Sequence, residues 1–454
     1  MIAYSIIQKS QLESAHRLDA EYYQAEYLES QNQLMALKTR ILSSACKVTD
    51  GNHSRISENF SKSGVRYLRG HDLTDFFISN VDPIFIPNEI YINLGRSHIF
   101  HEDVLVSIVG TIGLVSIVAR PLNKLTGNCK IAILHSKKID PWFLAIFLAS
   151  KYGQNQIHRK VAGAVQTGII LKDLSTTLIP IVDETEQNKI REIATKAFQN
   201  QIDSEKLYSQ AENLLLEELG LKDFKPGDEL SYVVNLSDVK SAHRADAAYF
   251  QPKYYKILQT IEKKNLRSLG KIVSIKKGIE PGSGEYRDEG KAFIRVSNLS
   301  KYGIIEKNQK YLDDDFFQRL QKNFEPKIGE ILLTKDATPG IAYVVKEPLE
   351  GIISGGILRL ELKEDIEAEY LALCINTIIG QMQIERDAGG SVIAHWKPEQ
   401  IKKMEIRILP KPIQKKIADL VIQSHEARKK AKKLLEKAKR EVERFVEENG
   451  IKEK

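Results

Sequence analysis

The spacing of apolar and polar positions changes character twice along the 454-residue chain. Runs rich in β-branched residues, bounded by Gly, Pro or Asn, recur as VLVSIVG, LVSIVA, KIAIL, EILLT and ILRLEL, and predict strands. Two mixed apolar stretches, Pro141 to Gly153 and Ala368 to Gly380, predict short helices between them. After Pro180 and again after Pro410 the period becomes helical. Ile190, Ala194, Ala197, Gln201, Ser204, Tyr208, Ala211 and Leu215 follow steps of four and three, and Gly220 supplies a helix stop. Ile417, Val421, Ser424, Arg428, Ala431, Leu435, Ala438, Val442 and Phe445 do the same. Each seam predicts a coiled-coil rod roughly 45 to 50 Å long. Two seams in one chain most simply pack on each other. The expected class is α+β.

Both patterns belong to one duplication. SAHRLDAEYYQAEY, from Ser14, returns 227 residues later as SAHRADAAYFQPKY, from Ser241, with nine of fourteen positions identical. At the same offset, or one residue from it, VRYLRGHDLT (Val65 to Thr74) falls on KAFIRVSNLS (Lys291 to Ser300), and DVLVSIVGTIG (Asp103 to Gly113) on EILLTKDATPG (Glu330 to Gly340). Gly163 falls on Gly390, and Gln187 and Ile190 on Gln414 and Ile417. Each half therefore has a leader, a strand-rich body and a long helix. The expected segments are 1–182, a leader with the first body; 183–221, a central helical spacer; 222–410, a linker, leader and second body; and 411–454, a second helical spacer.

Composition sharpens this only slightly. The length exceeds what one hydrophobic core serves, and 42% apolar with 28% charged residues is ordinary for a folded chain. A net charge of +7 permits a polyanionic partner without demanding one. Cys46, Cys129 and Cys374 are odd in number and far apart, which argues against a disulfide framework and favours a reducing, cytoplasmic compartment. No signal-peptide pattern or long apolar span is evident.

Catalytic signatures are missing from the sequence. There is no Gly-rich cofactor loop followed by an Asn or Asp-Pro-Pro-aromatic motif, and GEYRDEGKA has the wrong spacing and an Ala where a phosphate loop needs Ser or Thr. His98 and His101 have no second pair with which to hold a metal. In the leaders, Tyr22, Tyr23 and Tyr27, with Tyr249, Phe250 and Tyr254, suit a buried helical face, and Pro252 suits a helix start. His16, Arg17, His243 and Arg244 are harder to bury and could bind a phosphate or a partner. The basic run ARKKAKKLLEKAKR (Ala427 to Arg440) is either a solvated face or a contact with DNA or a partner.

An RxDAxYY leader, a DG or KxG strand end (Asp50-Gly51; Lys277-Gly278), the DVLVSIVGTIG block, the AGAVQTGI turn (Ala162 to Ile169), an EQxKI helix start and a long terminal helix occur in that order. With its duplication, this set resembles the specificity subunit of type I restriction-modification enzymes along essentially the whole chain. The resemblance implies a non-catalytic protein with two target-recognition domains, each reading one part of a split sequence in double-stranded DNA. Two antiparallel helices would space them in a pseudo-two-fold arrangement. The helices would also dock two methyltransferase subunits, and through these the restriction and translocase subunits. The chain itself would carry no cofactor or metal, with S-adenosylmethionine and ATP on the partners.

Base readout would come from loops that differ between the halves. The first half offers Asn52, His53, Arg55, Arg69 and His71, and the second Lys276, Lys277, Tyr286, Arg287, Arg295 and Asn298. Arg69 and Arg295 coincide in the repeat and could instead be framework or phosphate contacts. Secondary candidates are Ser107, Thr111, Gln166 and Thr167, with Lys335, Thr338, His395 and Lys397. The second half loses the Gln-Thr pair, which puts equivalence of that turn in doubt. The competing expectation is a duplicated coiled-coil interaction scaffold or inhibitor that does not read DNA.

Overall fold

The structure is a computed structural model that describes residues 5–10, 12, 17–73, 76–78, 80, 82–121, 124–163, 167–227, 229–261, 265–306, 308–388 and 395–450. The chain divides into two units, 1–201 with 429–454, and 202–428. The long helices Glu184–Glu218 and Lys411–Gly450 each give a segment to both units.

In the first unit the predicted strands form an antiparallel sheet in the order Cys46–Asp50, Ile131–Ser136, Val104–Ser107, Val115–Ile117. A second sheet runs Ile84–Ile86, Val65–Leu68, Leu125–Gly127, His98–Ile99, with Val65–Leu68 parallel to Leu125–Gly127. All four residues of Val104–Ser107 are buried, which is why this strand reads as an apolar run without alternation. Val104 and Val106 join the core of the helix Pro141–Ala149, while Leu105 joins Leu68, Leu125 and Ile133. The Asp140 carboxylate accepts from the N–H groups of Trp142 and Phe143 at 2.9 Å, and Pro141 opens the first turn, so this helix is fixed at its start.

The second unit repeats the scheme. Its first sheet has the order Val273–Lys277, Ile357–Leu362, Ile331–Thr334, Ala342–Val344, and its second Lys310–Leu312, Lys291–Ile294, Gly351–Ile353, again with one parallel pair. Ile331 and Leu333 face one core and Leu332 the other. The bodies diverge between the sheets. Where the first unit has the short helix Asn88–Ile92, the second has the longer Asp314–Phe324, capped by Asp313 through the Phe316 N–H at 2.8 Å.

The helical seams follow the predicted positions up to the last step, where Val446 is buried and Phe445 only half-buried, and they pack antiparallel. Within the first unit Ile190, Ala194 and Ala197 share a core with Ala438, Val442 and Val446, and the Lys189 ammonium lies 3.0 Å from the Glu441 carboxylate. Within the second, Tyr208, Ala211 and Leu215 share a core with Ile417 and Val421. There the fully buried Ser204 and Ser424 satisfy each other, the Ser424 hydroxyl donating to the Ser204 carbonyl at 2.7 Å. Small residues at these positions allow close approach, and the serine pair fixes register because slippage would strand two buried hydroxyls.

Candidate nucleic-acid interface

Four strand ends in each unit are tied into one web of backbone hydrogen bonds. In the first unit the N–H of Asn52 donates to Gly127 C=O (2.7 Å), Cys129 to Asn52 (2.9 Å), Asn128 to Leu68 (2.9 Å), Ile108 to Lys130 (2.9 Å) and Ile169 to Ile108 (3.0 Å). The second unit has the same five links: Ile279 to Ile353 (3.1 Å), Gly355 to Ile279 (3.0 Å), Ser354 to Ile294 (2.8 Å), Lys335 to Gly356 (2.9 Å) and Trp396 to Lys335 (2.8 Å). The glycine in each DG or KG strand end is a steric requirement of this web. A Cβ on Gly51 would lie 2.1 Å from the Asn128 carbonyl oxygen, and one on Gly278 2.1 Å from that of Ser354.

A hydroxyl pins the loop after each central strand. Ser107 Oγ donates to Thr111 C=O (2.5 Å) and accepts from the Leu114 N–H (2.8 Å), and Thr334 Oγ1 donates to Thr338 C=O (2.6 Å) and accepts from the Ile341 N–H (2.9 Å). The side-chain amides of Gln154 and Gln381 donate to Gly113 and Gly340 carbonyls at 2.9 Å, closing the same loops from behind. Ser107 is 1% exposed, so it shapes the loop and does not face a ligand.

Several other first-unit candidates are framework too. Asn52 is 8% exposed and closes a turn on Ser54, accepting from its N–H at 2.9 Å and donating to its C=O at 2.8 Å. The Arg69 guanidinium contacts the Asp72 carboxylate at 3.1 and 3.2 Å and donates to Asp82 C=O at 2.7 Å. Asp72 is buried and also holds Arg66 at 3.2 Å. Base readout by Asn52 or Arg69 therefore gives way to a structural role. His53 remains exposed, with Nε2 2.7 Å from Asp50, whose other oxygen takes Arg96 at 2.7 Å. Arg55 is 84% exposed, 3.9 Å from Glu58. His71, Thr111 and Thr167 are exposed, and Gln166 lies outside the described residues.

In the second unit, Asn298 is fully buried, bonded to the Arg295 N–H (3.2 Å) and the Ile305 carbonyl (2.9 Å), as a helix-end cap would be. It cannot touch a base in this fold. Arg295 donates to Asn308 C=O. The Tyr286 ring packs on Phe293 at 5.4 Å, and Arg287 bonds Gly284 C=O (2.9 Å) and Asp313 (3.2 Å), so both brace the second sheet outside the strand-end web. Lys276 pairs with Glu361 at 2.8 Å, and Lys277 is exposed beside it. Lys335 and His395 converge on Asp336, which no sequence signal singles out, with His395 Nδ1 2.8 Å from its carboxylate. Burial alone would raise the Asp336 carboxyl, but hydrogen bonds from Lys335 and His395 outweigh it and hold the group below the usual carboxylate range. Thr338 and Lys397 are exposed. One end of the turn corresponds in backbone: Val109 bridges Gly168 and Asp336 bridges His395 at the same offset.

The leaders spend their arginines internally. Arg17 is bidentate on Asp19 (2.8 and 2.5 Å) and donates to Val161 C=O (3.1 Å), with Tyr22 between Arg17 and Arg159 at 4.8 and 4.2 Å. Arg244, Asp246, Tyr249 and Arg386 repeat the arrangement. The hydrogen bonds from Arg17 and Arg244 hold Asp19 and Asp246 below the usual carboxylate range. His243 caps a helix with φ 51°, and His16 lies outside the described residues. Tyr23, Phe250 and Tyr254 are buried as expected, whereas Tyr22, Tyr27 and Tyr249 are only half-buried, and the helix after each leader starts at Ala25 and at its repeat partner Pro252. His98 stacks on Tyr91 at 3.9 Å, its Nε2 bonded to the Tyr91 carbonyl. Among the described residues no cluster suited to a metal occurs, and no helix is long and apolar enough to cross a membrane.

Two repeats of a strand-rich body with a paired long helix match the family model described as type I restriction modification DNA specificity domain, over residues 46–212 and 260–437. The chain belongs to that family. It is 30% identical over 130 residues to the type I restriction enzyme EcoBI specificity subunit of Escherichia coli, covering 28% of this chain and 27% of that protein. The match thus spans about a quarter of the length of that curated relative. Among solved structures, the type I restriction-modification S subunit from M. genitalium covers 91% of this chain and 95% of its own, at 14% identity and a TM-score of 0.40. The HsdS subunit from Thermoanaerobacter tengcongensis covers 92% and 97%, at 16% identity and a TM-score of 0.29.

Proposed function

We propose that this chain is the DNA-reading, non-catalytic subunit of a type I restriction-modification assembly, each unit reading one part of a split target in double-stranded DNA. The observation that supports this best is the pair of identical backbone webs carrying unlike side chains. Ile108 stands where the second unit has Lys335, Val109 where it has Asp336, and Gly168 where it has His395. A scaffold that merely holds partners has no use for that divergence, whereas two readers of different half-sites require it. The paired helices would dock two methyltransferase subunits, which bind S-adenosylmethionine, and through them restriction and translocase subunits using ATP. The test is to map methylated adenines in host DNA with and without this chain. A two-part methylated motif that vanishes with the chain is expected; an unchanged map in a host expressing the methyltransferase rejects the reading in favour of a scaffold or inhibitor.

A further inference from the structure

We infer that Lys335, Asp336 and His395 form the base-reading cluster of the second unit and that they select adenine on its major-groove edge. This rests on the DNA-reading function proposed above. The cluster sits in the strand-end web, held by two backbone links, the Lys335 N–H to Gly356 C=O at 2.9 Å and the Trp396 N–H to Lys335 C=O at 2.8 Å. Trp396 is 1% exposed, so the residue next to His395 is anchored in the core. At the same positions the first unit has Ile108, Val109 and Gly168, which carry no polar side-chain atom. The web is common to both units, so the charged cluster is a property of the second unit alone.

Its chemistry is directional. Asp336 is largely covered and its carboxylate accepts from both neighbours, leaving His395, 59% exposed, as the outermost group. An ionised carboxylate at 2.8 Å from Nδ1 places the proton on that nitrogen, so in the neutral imidazole Nε2 is a hydrogen-bond acceptor. Lys335 has three N–H bonds and spends one on Asp336, so donors remain. Lys335, whose side chain is 18% exposed, sets those donors beside the more exposed His395 acceptor. In the major groove adenine offers the complement, an acceptor at N7 and a donor at the N6 amine, whereas guanine offers two acceptors. Asp336 is a positioning residue: it touches no base and fixes the imidazole tautomer.

The experiment is selection of bound duplexes from a randomised pool by the full-length chain at mildly alkaline pH, for wild type, His395→Ala and His395→Gln. The wild type should enrich a two-part motif. His395→Ala should lose preference for adenine at one position of one part by about 5- to 150-fold, the range for a specific base contact, with the other part intact. His395→Gln, whose amide suits the adenine edge, should restore it. An unchanged motif in His395→Ala overturns the inference while leaving the DNA-reading function standing, and a wild type that enriches no motif overturns both.

Discussion

Replacing Thr334 by Val keeps the side-chain volume and deletes the hydroxyl that pins the loop carrying Lys335 and Asp336. Two hydrogen bonds disappear, the 2.6 Å donation to Thr338 C=O and the 2.9 Å acceptance from the Ile341 N–H. At about 0.5 to 1.5 kcal/mol each, the loop loses about 1 to 3 kcal/mol. The main-chain pair between Thr334 and Ile341 at 3.0 Å and the Gly340 N–H to Thr334 C=O bond at 2.9 Å remain, so the strand should hold while the loop opens more often. Converted at about 1.4 kcal/mol per decade, local opening becomes roughly 5 to 150 times more frequent. Native-state hydrogen exchange reads this directly at the Ile341 amide, whose acceptor has been deleted. Exchange should quicken across 335–341 and stay unchanged in the helix Pro141–Ala149 of the other unit. Ser107→Ala should produce the mirror result at the Leu114 amide, since Ser107 makes the same two bonds at 2.5 and 2.8 Å. Unaltered exchange at Ile341, or equal acceleration in both units, would refute the claim that the hydroxyl holds this loop.

His425 lies buried in the second unit, 2.6 Å from the Lys346 ammonium, which also pairs with Glu369 at 2.9 Å. Burial, reinforced by the charge of Lys346, pushes its pKa down to about 3. The unfolded chain, with an ordinary value near 6.5, binds the extra proton first as pH falls, so the stabilisation is complete above about pH 6.5 and drains away toward pH 3. His425→Phe, which installs the residue found at the repeat position Phe198, should flatten the loss of thermal stability between about pH 7 and 5; the same acid slope in both proteins would contradict it. Gly278→Ala should cost about 1 to 3 kcal/mol by forcing a Cβ toward the Ser354 carbonyl, seen as a lowered melting temperature and as weakened selectivity at one half-site only. Gly51→Ala should weaken the other half-site, and loss of both preferences from either change would argue against two separate readers.

The elements were legible where the signal is local. Ile190 to Leu215 and Ile417 to Val442 repeat their apolar positions every three or four residues whatever the rest of the chain does, and the structure buries most of them. Val104–Ser107 could be found because a strand covered on both faces must be apolar throughout. The reading face was harder for a physical reason. A polar residue in a loop serves equally well as a ligand contact or as the cap that buries the loop's own backbone, and residue type does not separate these uses. Asn298 and Asn52 carry amides that match adenine by residue type, yet both amides are consumed by partners two to seven residues away along the chain.

The duplication held the missing discrimination. Where the two halves agree in chemistry, as with Arg69 and Arg295, Ser107 and Thr334, or Gln154 and Gln381, the side chain bonds its own backbone in both units. Where they disagree on an otherwise matching web, as with Val109 and Asp336 or Gly168 and His395, the backbone links are kept and do not require the difference. A duplicated gene product can afford to change a residue only where the scaffold does not depend on it. The unlike positions whose side chains the fold does not itself use, such as Asp336 and His395, are therefore the ones free to follow the unlike halves of a target.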